Sequence, residues 1–298
     1  MNTLSKRIST AALVVSAFAL AACGSKSKKS DSTSDKSAAV EAKPEPAAES
    51  ATAEASSDEP ESQAVGNAPA GSGRFKYAVS PAKTEKLKRY EALFKPEGRI
   101  GGVVEAMKNY ALPRDVPVVA RECKKINAYY MPQKHAISLC YELAEAFYEG
   151  FIGKGIDDAT ASKRTLDAYT FTVLHEMGHA LIAELDLGVS GGEEDNVDDL
   201  AALILIQNKK PEWAIAGPAA FLELTKGQKP AFFDEHSMSE QRIGNVLCMI
   251  YGSDTAKFRP LLQDFPELQP RAPKCPKEYT QRDKFWTTSL APHERKAG

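Results

Sequence analysis

From Asp157 to Leu185 apolar residues recur at helical spacing over a longer run than anywhere else in the chain, and His175, Glu176 and His179 sit well inside it. That run restricts the fold more than any other feature. A helix of this length and apolar content belongs in a core, and two histidines and a glutamate are poor core fillers unless neighbouring elements supply partners. The segment reads Val173-Leu174-His175-Glu176-Met177-Gly178-His179-Ala180-Leu181. Histidines at i and i+4 point to one side of a helix, one turn apart, close enough to bind a single metal ion. Neutral imidazole suits zinc, and Glu176 lies beside the first histidine where it can reach a water on the metal. The competing reading is a pair of satisfied core histidines. A catalytic zinc site also needs a third protein ligand, which must come from elsewhere.

Downstream the sequence runs Gly191-Gly192-Glu193-Glu194-Asp195-Asn196-Val197-Asp198-Asp199-Leu200-Ala201-Ala202. A loop over Leu187 to Gly192 reverses the chain, so a following helix can return its acidic side chains to the histidines. Ser190-Gly191-Gly192-Glu193 reads as a capping box opening that helix, which extends to about Gln207. The pattern is similar to the gluzincin arrangement, in which HExxH is followed on a second helix by Glu-x-x-x-Asp. There the Glu binds zinc and the Asp, one turn later, orients a ligand histidine. Glu194 and Asp198 match that spacing; Asp195 and Asp199 match it one residue later, with Asp in the ligand place. The resemblance implies Glu194 as third ligand and Asp198 as the partner of a ligand histidine. Glu193 is the runner-up ligand, unless the capping box holds it. A helix dipole would favour the same acids at an N-terminus, but it does not explain their position one loop after HExxH.

The remaining pattern gives an α+β, mainly helical domain with a small sheet. Ile126 to Met131, a turn at Pro132-Gln133-Lys134 and Ala136 to Leu139 read as a hairpin, with Val116 to Ala120 as a third strand. Helical spacing recurs over Ala82 to Phe94, Ile100 to Tyr110, Tyr141 to Phe151, Trp213 to Thr225, Glu240 to Tyr251 and Pro276 to Leu290. Four cysteines lie in this region, and an even number in an exported chain argues for two disulfides. Three pairings are open. Local closure favours Cys123–Cys140, which flanks the hairpin, with Cys248–Cys275. A cysteine-based zinc site is the competitor, but the chain has no CxxC pair.

From Phe75 onward the sequence also resembles a bacterial metallopeptidase family, often exported, whose activity is itself inferred from HExxH. The resemblance is carried by Cys123 to Tyr130, Leu139-Cys140-Tyr141-Glu142, His175 to Leu185 and Gly191 to Ala202. Asp234-Glu235-His236-Ser237, Glu240-Gln241-Arg242 and Cys248 to Gly252 complete it. The chain departs from the family at Gly192, where a larger residue is expected, and at Asp199, where Gln is expected. What the resemblance implies is a zincin-like fold, a Zn2+ cofactor and hydrolysis of a peptide bond, with Glu176 as general base. A second donor to the developing oxyanion is usual. His236, in a polar turn before a helix, is the first candidate and Arg242 the alternative. Each also has a structural reading, His236 as a helix-entry residue and Arg242 as an ion-pair partner. His135 and His293 read as plain surface residues.

The first quarter of the chain is different material. Lys6 and Arg7 precede an apolar stretch from Ile8 to Ala19, which at about a dozen residues fits a signal peptide and is short for a bilayer span. Leu20-Ala21-Ala22-Cys23 resembles the lipobox of bacterial lipoproteins. That implies cleavage after residue 22 and a lipid anchor on Cys23; an ordinary signal cleaved at Ala21 or Ala22 is the alternative. Gly24, not Asp, follows the cysteine, which by the enteric sorting rule points to the outer membrane if the host has two. Residues 24–74 contain no Phe, Tyr, Trp, Leu or Ile, so they cannot bury enough apolar surface to offset ordering entropy and are expected to be a disordered tether. The domain is then 75–298. Lys+Arg total 38 against 40 Asp+Glu, a balance that gives no global pull toward nucleic acid.

These readings converge on an exported, lipid-anchored zinc metallopeptidase acting on peptides or envelope proteins. Two alternatives accompany it, a non-catalytic zincin-fold lipoprotein that only binds metal and a zinc amidase acting on peptidoglycan.

Overall fold

A computed structural model describes residues 71–225 and 240–295. The expected signal peptide, Cys23 and the tether as far as residue 70 lie outside them, as does His236. The described residues are mainly helical and carry one four-stranded sheet, the α+β class expected.

The sheet contains β1 (Phe75–Val79), β2 (Val116–Arg121), β3 (Ala128–Met131) and β4 (Ala136–Cys140) in the order β1-β2-β4-β3. β1 pairs parallel with β2 and β2 parallel with β4, while β3 and β4 form an antiparallel hairpin in which Tyr130 faces Ile137. β3 is therefore an edge strand. The hairpin and β2 follow the sequence reading. β1 was not foreseen, although Phe75 buried and Lys76 exposed begin the two-residue alternation of a half-buried strand.

Between β1 and β2 the single helix expected over Ala82 to Phe94 is broken into pieces. A 3-10 turn (Glu85–Leu87), α1 (Lys88–Glu91) and a second 3-10 turn (Ala92–Phe94) take its place. Leu87, Tyr90 and Phe94 are buried; their recurrence every three to four residues suits either geometry, which is why periodicity did not separate them. α2 (Arg99–Ala106) likewise ends in a 3-10 turn (Met107–Asn109).

The helical layer comprises α3 (Tyr141–Ile152), α4 (Asp158–Glu184), α5 (Glu193–Gln207), α6 (Pro211–Thr225), α7 (Glu240–Ser253), the short α8 (Leu261–Asp264) and α9 (Cys275–Leu290). α4 is the central element. Asp157 caps its start by accepting from the Thr160 amide at 3.0 Å. Every residue from Asp167 to Ile182 is buried, so that stretch of the helix is enclosed on all sides. It ends where Asp186 turns left-handed at φ 50° and the Leu187 amide reaches back to the Ile182 carbonyl at 3.0 Å, a Schellman closure.

Two disulfides brace the domain. Cys123–Cys140 joins the segment after β2 to the end of β4, and Cys248–Cys275 joins α7 to the start of α9. The second lies in a small apolar cluster with Leu247 and Leu268.

Candidate metal centre

α4 and α5 meet across the loop 185–192, and the site lies between them. α5 starts at Glu193 with Gly192 as its N-cap and no side-chain cap bond. The expected capping box is therefore absent, because the helix begins two residues later than Ser190 as N-cap would require. The loop is closed instead by Asn196, whose Nδ2 donates to the Ser190 and Gly192 carbonyls at 3.0 and 2.8 Å. Gly191, at φ 83°, supplies the left-handed residue this turn needs. Glu193, Glu194 and Asp195 all fall in the first turn, where the helix dipole favours negative charge.

His175 and His179 project from the buried face of α4 with their Nε2 atoms 3.2 Å apart. The Glu194 carboxylate closes the triangle, at 3.3 Å from His175 Nε2 and 3.1 Å from His179 Nε2. One donor atom from each of the three lies within 4.8 Å of the others. The outer ring nitrogens are held as well. His175 Nδ1 donates to Asp198 at 2.8 Å, and His179 Nδ1 donates to Glu193 at 2.6 Å. With each Nδ1 committed to a carboxylate, both Nε2 atoms face inward, the orientation a metal ligand requires. The donor set, two imidazoles and one carboxylate, fits a divalent ion of zinc's preferences.

The electrostatics point the same way. Burial alone would lower the pKa of His175, but Asp198 and Glu194 outweigh it and push it up to about 10. His179 moves upward too: burial and His175 oppose its charge, and Glu194 favours it. The pocket is built to hold positive charge. Burial opposes the ionisation of Asp198, yet the bonds from His175 and Arg242 win and hold its carboxyl below the usual range.

Arg242, on α7, is buried and donates to Asp198 from Nε at 2.7 Å and from a terminal nitrogen at 2.9 Å. The same terminal nitrogen lies 3.1 Å from Glu194. Of the two roles drawn from the sequence, these are the contacts of an ion-pair partner. Glu193, the runner-up ligand, is engaged with His179 Nδ1.

Glu176 is 1% exposed and accepts the Tyr130 backbone N–H at 2.9 Å. Tyr130 belongs to the edge strand β3, so the strand is pinned to the motif helix beside the site. Its hydroxyl reaches further along α4 to Glu184, at 2.7 Å. His135 Nδ1 lies 2.6 Å and Arg114 Nε 3.2 Å from the same carboxylate. His135 is therefore an anchored residue of the hairpin turn, not the plain surface residue expected. Neither Glu184 nor Arg114 was singled out from the sequence, because the contact joins segments with no shared motif.

A family model described as "Putative metallopeptidase" matches residues 79–290. No curated protein and no solved structure matches the chain.

Proposed function

Given that the chain belongs to the family of that description, whose wording implies a metal-dependent peptidase, we propose that it is a zinc-dependent hydrolase of peptide bonds. His175, His179 and Glu194 are the ligands and Glu176 is the general base. The observation that carries the reading is the convergence of three donor atoms from adjacent helices within 4.8 Å, with both outer imidazole nitrogens occupied by carboxylates.

A bound zinc ion would polarise the scissile carbonyl and acidify water near neutral pH. The chain's own residues do the rest. Glu176 takes the proton from the attacking water and returns it to the leaving amine. The Tyr130 N–H holds one oxygen of that carboxylate, which fixes how the other is presented. Asp198 keeps His175 in its inward-facing orientation, and Glu193 does the same for His179. Metal binding alone would not call for a buried glutamate at position 176, which favours hydrolysis over a role confined to holding the metal.

The setting we propose is an exported domain, 75–298, tethered through residues 23–74 to a lipid on Cys23 at the bacterial envelope, with cleavage after residue 22. It rests on the lipobox resemblance and the tether's composition.

Elemental analysis of the purified protein tests the reading. One zinc per chain is expected, lost in the His175→Ala/His179→Ala variant. No metal after reconstitution with zinc would sink it.

A further inference from the structure

We infer that Gly178, at an unspecified position of the HExxH motif, sets the distance at which Glu194 meets the two histidines and is thus a positioning residue for the metal. The inference rests on the ligand assignment above and deepens it.

α4 presents His175, Gly178 and His179 at i, i+3 and i+4, and α5 presents Glu194, Val197 and Asp198 with the same spacing. Residues so spaced share one face of a helix. The two faces meet with His175 bonded to Asp198 and His179 beside Glu194, at 2.8 and 3.1 Å. Gly178 and Val197 occupy the middle of this pairing. A Cβ at position 178 would lie 3.0 Å from both Cβ and Cγ1 of Val197 and 3.4 Å from its Cα.

Nothing in the local backbone calls for glycine. Position 178 is inside a regular helix without a positive φ, where glycine is among the least favourable residues. The close approach of α5 is what accounts for it. Nor can Val197 swing aside, because its Cβ is fixed by the backbone and its branch leaves little freedom at χ1. An added methyl would therefore move the turn of α5 that carries Val197. That turn also carries Asp198 and, one turn earlier, Glu194. The displacement needed is a few tenths of an ångström. Metal–ligand distances tolerate about 0.2 Å, so a shift too small to disrupt the fold is large enough to disturb coordination.

The test is a zinc titration against a competing chelator with the full chain, comparing the parent with Gly178→Ala, Val197→Gly, which removes the opposing Cβ and Cγ1, and the double variant. Thermal unfolding of each metal-free protein reports folding separately. Gly178→Ala is expected to weaken zinc by about tenfold or more, in the range of other changes around a metal's ligands, and the double variant to recover most of the loss. Unchanged affinity in Gly178→Ala would overturn the inference, and so would equal weakening in the double variant. If Gly178→Ala alone does not fold, the double variant carries the test. Zinc affinity near the parent's supports the inference; a double variant still unfolded or tenfold weaker overturns it. A parent that binds no zinc is a separate result, and it removes the ligand assignment itself.

Discussion

Arg242 grips Asp198 through two nitrogens, at 2.7 and 2.9 Å, while Asp198 accepts the Nδ1 proton of His175. All three groups are buried. The arginine thus orients the candidate ligand His175 through one shared carboxylate.

Removing that arginine leaves Asp198 charged and buried with one partner fewer. Arg242→Ala is expected to cost about 3–5 kcal/mol of stability and to weaken zinc about 10- to 100-fold. Denaturant unfolding of the metal-free protein and a zinc titration read the two effects. Arg242→Lys should recover little of either, because an ammonium cannot reproduce the two-pronged contact.

Glu194 and Glu193 are adjacent but face different atoms. Glu194 lies by the two Nε2 atoms and Glu193 binds the outer nitrogen of His179. Glu194→Ala should therefore weaken zinc far more than Glu193→Ala in the same chelator competition. The reverse order would transfer the ligand role to Glu193.

Glu176→Gln preserves an oxygen that can accept the Tyr130 amide, so the strand contact should survive. Cleavage of a peptide library is expected to fall at least about 100-fold, with zinc stoichiometry at the parent's level. Loss of metal along with activity would assign Glu176 to coordination and not to proton transfer.

Asp199 supplies a pH prediction apart from the ligands. Burial, the dominant influence, pushes its carboxyl up to about 7 against the pull of Arg282, and Asp198 and Asp195 add to the rise. A folded-state pKa above the unfolded value means the folded chain holds the proton more tightly. The associated stability is complete below about pH 4 and is lost as pH rises toward and through 7. Asp199→Asn cannot ionise, so its unfolding free energy should fall less than the parent's over that window. Equal slopes for parent and variant between pH 4 and 8 would refute the assignment.

What was legible in the sequence follows from how local each signal is. Histidines one turn apart on an apolar helix define their own geometry, so the facing of His175 and His179 could be read from spacing, whereas Glu194 was implied by the gluzincin resemblance of the acids one loop later. The hairpin was legible for the same reason, since Pro132 to Lys134 marks its turn between two apolar runs. The start of α5 was misread because Ser190 and Glu193 have capping-box spacing, while the three-dimensional loop gives Glu193 to His179. The broken helix over Ala82 to Phe94 escaped because 3-10 and α turns expose nearly the same buried stripe. The Tyr130–Glu176 bond had no sequence signal at all. It is made by a backbone amide, which every residue but proline carries.

The reach of each contact along the chain also orders how the site can form. His175 and His179 are 4 residues apart, His179 and Glu193 are 14, and His175 and Asp198 are 23, all within one helical hairpin. Arg242 lies 44 residues beyond Asp198. Closing a short loop costs less entropy than closing a long one, and local contacts form sooner. In a refolding chain the hairpin can bring its histidines and acids together before α7 arrives. Assembly then runs from the inside outward, with the pocket formed by neighbours in sequence and latched afterward by a distant one.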